Sequence, residues 1–228
     1  MPDLTLDEAV DLTRTGDLWL FRGRSAADHA IRAFTNSPVN HVGMAVVLDD
    51  LPPLLWHAEL GRGLPDVWTG KYHRGVQLHD LRAAVDQWTH RYEQRAWLRQ
   101  LDAPITSETE EALLQTIARM DGTPFPSTAR LTARWFRGRV PVASELAEGI
   151  PLLERRFRAA AARRKERRRQ AGLETAYCAE TVAITYEEMG LLATQKHANW
   201  FDPGSFWSGD DLPLTKGHRL GEEIAVTA

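Results

Sequence analysis

The chain has 228 residues, 43% of them hydrophobic and 26% charged, which fits one large domain or a domain carrying an insertion. Its single cysteine excludes an intramolecular disulfide, and with it any structural zinc site that needs two or four thiolates. The net charge of −3 hides an asymmetry: residues 151–170 hold eight Arg and one Lys against two Glu, a local +7, so the rest of the chain sums to −10.

The first residues, MPDLTLDEAVDLTRTGD, lack both a basic leader and an apolar stretch, and no apolar run reaches the ~18 residues of a spanning helix. A cytoplasmic protein with no transmembrane segment is expected. Residues 4–13 read as a short amphipathic helix that starts near Leu4 or Thr5, with Leu6, Ala9, Val10 and Leu12 inward. Thr15-Gly16-Asp17 stops it, and LWLFR (18–22) reads as a buried strand. SAADHAIRAFT (25–35) reads as a helix capped by Ser25, broken by Asn36-Ser37-Pro38. HVGMAVVL (41–48) is the strongest strand signal, and LLWHAEL (54–60) pairs with it through the Asp49–Pro53 turn.

GVQLHDL (75–81) and RYEQRAWLRQL (91–101) supply further strands. SETEE opens a helix over Ser107–Met120 that Asp121-Gly122 ends. YCAETVAITYEEMG (177–190) is an amphipathic helix closed by Gly190, and a short strand lies near Arg219–Val226. Helix, hairpins and helix again, without regular βαβ alternation, predict an α+β fold.

Cys178 falls at a helix start, where free N–H groups and a partial positive charge favour a thiolate and could hold an oxyanion. A nucleophile there needs a base and a group to orient that base. On position alone the simpler reading is a buried structural thiol, the commonest fate of a free cysteine. His41 opens the HVGMAVV strand and is the best-placed base. His57 and Glu59 project from one face of the next strand, so Glu59 could stand beside His41 and fix its tautomer. His73, His79, His90 and His218 lie among polar neighbours and read as surface residues. No HExxH or paired-histidine spacing occurs, so neither a metal nor another cofactor is expected.

Taken together, GDLWLFRG (16–23), TNSPVNHVGMAV (35–46), WHAELGRG (56–63) and YCAETVA (177–183) resemble the permuted NlpC/P60 proteins. These are papain-like cysteine hydrolases in which the histidine strand precedes the cysteine helix. The subgroup it looks most like is the YiiX/YebB-type permuted papain-like amidases. DGTPFP (121–126) and DPGSFW (202–207) are weaker echoes of the same pattern. The resemblance implies a circularly permuted papain-like fold: one domain over 1–228, with an antiparallel sheet packed by helices. It implies Cys178 as nucleophile, His41 as base and Glu59 as orienting residue, with Tyr177 and Glu180 flanking the nucleophile. Trp207, in the late Pro-Gly loop, is a candidate substrate-binding residue. The family's Ser after the Cys is Ala179 here, and residues 127–174 are longer and more basic than the pattern requires, so they read as an insertion carrying a basic helix.

The function expected from this resemblance is hydrolysis of an amide or acyl bond in a small molecule or peptide through an acyl-enzyme, with transfer to another acceptor as a variant. The rival reading is a non-catalytic binding module whose Arg-rich segment 151–170 contacts nucleic acid or an anionic membrane. A charge run is more simply a solvated helix face.

Overall fold

The structure is a computed structural model that describes residues 3–23, 37–59, 63–123, 177–208 and 212–227. The helix expected at 25–35 and the insertion expected at 127–174, with its basic helix, lie outside the described residues. In chain order the elements are β1 (Leu4–Thr5), α1 (Leu6–Leu12), β2 (Leu18–Arg22), β3 (His41–Val46), β4 (Leu54–Glu59) and β5 (Gly75–Asp80). Then come α2 (Leu81–Asp86), a π turn (Gln87–Arg91), β6 (Arg95–Arg99), β7 (Leu101–Asp102) and α3 (Ser107–Met120). The order closes with α4 (Cys178–Glu188), β8 (Arg219–Leu220) and β9 (Ile224–Thr227).

Seven strands form one sheet in the order β1-β9-β6-β2-β3-β4-β5, antiparallel throughout except where β1 runs parallel to β9. This is an α+β protein. Both faces of the sheet are covered, which is why LWLFR is an unbroken apolar run rather than an alternating one. Leu18, Leu20, Val42, Met44, Val46, Leu54, Trp56 and Leu78 pack under α3 and α4. Trp19, Phe21, Ala45, Leu55, Ala96 and Leu98 pack under α1 and α2.

Local signals explain most boundaries. Thr5 caps α1 in a reciprocal capping box with Glu8, and Leu6, Ala9 and Val10 point inward, but Leu12 points to solvent. Gly16 sits at φ 91°, and a Cβ there would come within 2.8 Å of Leu101. The next residue, Asp17, is fully buried, and its carboxylate accepts from the N–H groups of Arg14 and Leu101, each at 2.8 Å. The Gly-Asp pair is thus a fastening between the start of β2 and the start of β7.

Two features depart from the sequence reading. α2 and the π turn occupy a stretch with no element expected, started by the Asp80 side chain accepting from the Ala83 N–H. The single late strand is two short ones, β8 paired with β7 and β9 in the main sheet, divided at Gly221, whose N–H goes to the Gln100 carbonyl.

Candidate functional site

α4 is buried along nearly its whole length and is fixed to the sheet by polar anchors as well as packing. The Trp56 indole donates to the Thr185 hydroxyl at 3.0 Å, and the Tyr186 hydroxyl donates to the Gly16 carbonyl at 2.5 Å. These bonds place Cys178, the first residue of the helix, against the start of β3. Its sulfur accepts from the N–H groups of Val42, Ala179 and Cys178 itself. Those donors favour the thiolate, but burial outweighs them and the thiol is pushed up to about 11. Thus the helix terminus supplies the donors the sequence implies without producing an ionised thiol at rest.

His41 is the first residue of β3 and Val42 the second. Alternation sends their side chains to opposite faces of the sheet: Val42 packs with Cys178, and the His41 ring lies against Phe21 and Trp88. None of the described hydrogen bonds joins His41 to Cys178.

Instead, His41 begins a row of imidazoles. Its Nε2 is 3.0 Å from Nδ1 of His57, and Nε2 of His57 is 3.0 Å from Nδ1 of His79. Glu59 reaches this row at its far end, with Oε2 3.5 Å from Nδ1 of His79 and 3.9 Å from Nε2 of His57. So the side chain at hydrogen-bond distance from the His41 ring is His57, and Glu59 stands beside His57 and His79 instead.

The row is possible because β4 and β5 present alternate residues to the same face. β4 and β5 pair with His57 opposite Gln77 and Leu55 opposite His79, so His79 lies diagonal to His57. Gly43 makes room across β3, because a Cβ there would meet Leu55 at 2.7 Å and His57 at 3.2 Å. The Trp88 ring closes the row edge-on, 4.6 Å from His41 and 5.0 Å from His57.

This enclosure sets the charges. Burial, with a further push from His79, brings His41 down to about 3, and His57 also lies well below its ordinary value. His79 falls to about 4 through burial, against the pull of Asp66. Glu59 rises to about 7 through burial, although Trp88 hydrogen-bonds its carboxylate. All three imidazoles are therefore uncharged at neutral pH.

His79 is buried rather than on the surface, as are His57 and Gln77, whereas His73 and His218 are half-buried and His90 is exposed. The signal for His79 lay in GVQLHDL itself: a strand of period two places His79 and Gln77 on one face.

The remaining candidates pack nearby. The Tyr177 hydroxyl bonds to the carbonyls of Asn199 (2.9 Å) and Phe201 (2.5 Å), which ties the helix start to the late loop. Glu180 is buried in the first turn of α4, where its charge suits the helix terminus. Trp207 is half-buried, edge-on to Trp97 at 5.2 Å, with the Arg22 guanidinium over both rings. Phe201 and Phe206 belong to the core.

No family model matches the chain, and none of the curated proteins matches it. Among solved structures it is similar to metalloprotein yiiX (DUF1105) from Escherichia coli O157:H7, with 19% identity and a TM-score of 0.44. That likeness covers 77% of this chain and 66% of the yiiX chain, so this chain spans less than two thirds of its length. Among the described residues no helix is long and apolar enough to cross a membrane.

Proposed function

We propose that the protein is a cysteine hydrolase of permuted papain-like type, acting on an amide or acyl bond, with Cys178 as nucleophile and His41 as base. One observation carries this reading. The Cys178 sulfur sits at the N-terminus of a buried helix and against the N–H of Val42, the residue that follows His41. The N–H groups of Val42, Ala179 and Cys178 surround the sulfur, and the same kind of donor serves a tetrahedral oxyanion. His41 is neutral and therefore able to accept a proton, and His57 holds its ring.

The resting pair is a neutral thiol and a neutral imidazole. In this reading substrate binding turns the His41 ring out from Trp88, around the start of β3 and into reach of Cys178, and the proton passes to His41 as the sulfur attacks the carbonyl. The tetrahedral intermediate collapses, His41 returns the proton to the leaving amine or alcohol, and water then releases the acyl group from Cys178. Another acceptor in place of water would make the same site a transferase. Tyr177, Glu180 and Trp207 line the approach to the nucleophile in this reading.

The test is acylation by an activated ester. p-Nitrophenyl acetate should release about one equivalent of p-nitrophenol in a burst, and mass spectrometry should find the acetyl group on Cys178. The burst should vanish in Cys178→Ala and slow in His41→Ala. An adduct on another residue, or a burst of equal rate without His41, overturns the assignment.

A further inference from the structure

The polar row on the α2 face holds more buried donors and acceptors than it can satisfy by itself. Glu59 exposes 7% of its surface and His79 1%, yet Oε2 of Glu59 and Nε2 of His79 have no hydrogen-bond partner. Gln77 is fully buried directly opposite His57, and neither its amide nitrogen nor its oxygen is partnered. Unsatisfied buried polar groups cost about 1–3 kcal/mol each, and among these atoms Oε2 of Glu59 lies beside the paired nitrogens of His57 and His79, where one occupant would partner all three.

The geometry points to a divalent transition-metal ion, of zinc's chemical class, held by Nε2 of His57, Nδ1 of His79 and Oε2 of Glu59. The three atoms form a triangle with edges of 3.0, 3.5 and 3.9 Å. Three ligands at bond lengths of ~2.0–2.1 Å in tetrahedral arrangement would stand about 3.3 Å apart, so one ion fits the triangle with shifts of a few tenths of an ångström. Two imidazoles and one carboxylate leave a fourth position open, and imidazole nitrogen suits zinc-class ions far better than calcium or magnesium.

The surroundings are those of a metal site. A ligating imidazole ordinarily donates its other N–H to a nearby acceptor, and Nδ1 of His57 faces Nε2 of His41 at 3.0 Å. A ligating carboxylate is ordinarily hydrogen-bonded, and the Trp88 indole supplies that bond to Glu59.

A second group, Asp66, His73 and Asp121, has ligand atoms equally close together. There, however, both Asp66 oxygens are already engaged: Oδ2 accepts from the Thr69 N–H and hydroxyl, and Oδ1 from the Leu78 N–H. That carboxylate holds a turn, and although both His73 nitrogens and Oδ1 of Asp121 are unpartnered, only Asp66 of the three is buried, whereas His57, Glu59 and His79 all are.

The sequence gives no hint of the site through helical motifs, because its ligands come from a strand pair: positions 57 and 59 on β4 and the diagonal position 79 on β5. The inference does not depend on the hydrolase reading, since Cys178 is not among the ligands.

The test is titration of the full-length protein, stripped with a chelator, with ZnCl2 and with CoCl2. One equivalent of Zn2+ should bind per chain, and Co2+ should give the intense visible bands of a tetrahedral site. Glu59→Gln keeps the shape of the side chain and should weaken binding by more than the ~10–100-fold that loss of an outer partner costs, and His79→Ala should do the same. His90→Ala and Cys178→Ala should bind as the wild type does. Circular dichroism identifies any variant that fails to fold, and Glu59→Gln is the variant that decides if His79→Ala is lost. Binding that is unchanged in Glu59→Gln, a cobalt spectrum that depends on Cys178, or no stoichiometric binding overturns the site.

Discussion

The two faces of the sheet treat their polar residues in opposite ways. Under α4 the face is largely apolar, and a single thiol sits among backbone N–H groups. Under α2 the face carries His41, His57, Glu59, Gln77 and His79, and several of their atoms lack partners. β3 separates the two, with Val42 on one side and His41 on the other. The contrast teaches that one strand can serve both faces at once. A strand one residue thick can carry the thiol's donor in its backbone and the imidazole in the adjacent side chain.

The sharpest break in this comparison comes from the nucleophile. Cys178→Ala should lower ester acylation by at least about 10^3-fold, and His41→Ala by roughly 10^2–10^4-fold, as expected for a nucleophile and a general base. Stopped-flow release of p-nitrophenol measures both, and equal losses in His41→Ala and in an α2-face control such as Gln77→Ala would show that the face, not the base, matters.

Trp56→Ala removes a large side chain that is 0% exposed, together with its hydrogen bond to Thr185. It should cost ~3–5 kcal/mol in urea unfolding. Because Trp56 lies on the α4 face, the Zn2+ affinity of the folded variant should stay that of the wild type. A parallel loss of both would mean that the faces are mechanically coupled.

The two proposed sites also meet through His57. Metal on its Nε2 obliges His57 to carry its proton on Nδ1 and donate to Nε2 of His41, which then keeps its own proton on Nδ1. A general base needs a lone pair at that nitrogen. Zinc-loaded protein should therefore acylate roughly 10^2-fold more slowly than chelator-stripped protein, close to the effect of losing a general base. Equal burst rates with and without one equivalent of Zn2+ would uncouple the two faces.

How much of this could be read in advance follows the same division. β2, β3, β4, α3 and α4 announce themselves through apolar runs, caps and the glycine stops at Gly122 and Gly190, and the Cys178 helix start follows from them. The imidazole row is different. GVQLHDL shows that Gln77 and His79 share a face, but which face they share is fixed only when β5 pairs with β4 in the register His57 opposite Gln77. That register is a long-range fact. α2 did leave a local trace, with Leu81, Ala84, Val85 and Trp88 all buried at helical spacing behind the Asp80 cap. A helix of six residues is too short for that periodicity to stand out beside two strong strands.

The smallest effect separates the faces by pH. Burial raises the Cys178 thiol to about 11, against ~8.5 for a free cysteine. Between those values the unfolded chain gives up its thiol proton and the folded chain keeps it, so the unfolded state binds fewer protons and stability falls as pH rises. This contribution is fully present below about pH 8.5 and is lost progressively towards pH 11, with a slope of at most about 1.4 kcal/mol per pH unit. Other groups titrate in the same range, so the informative quantity is the difference between the wild type and Cys178→Ala. The urea midpoint of the wild type should fall more steeply from pH 8 to pH 10 than that of the variant. Parallel falls would mean that the donors at the start of α4 balance its burial and the thiol titrates at its ordinary value, and a shallower fall in the wild type would mean that they outweigh it, which is the outcome that replaces the neutral resting pair with a thiolate.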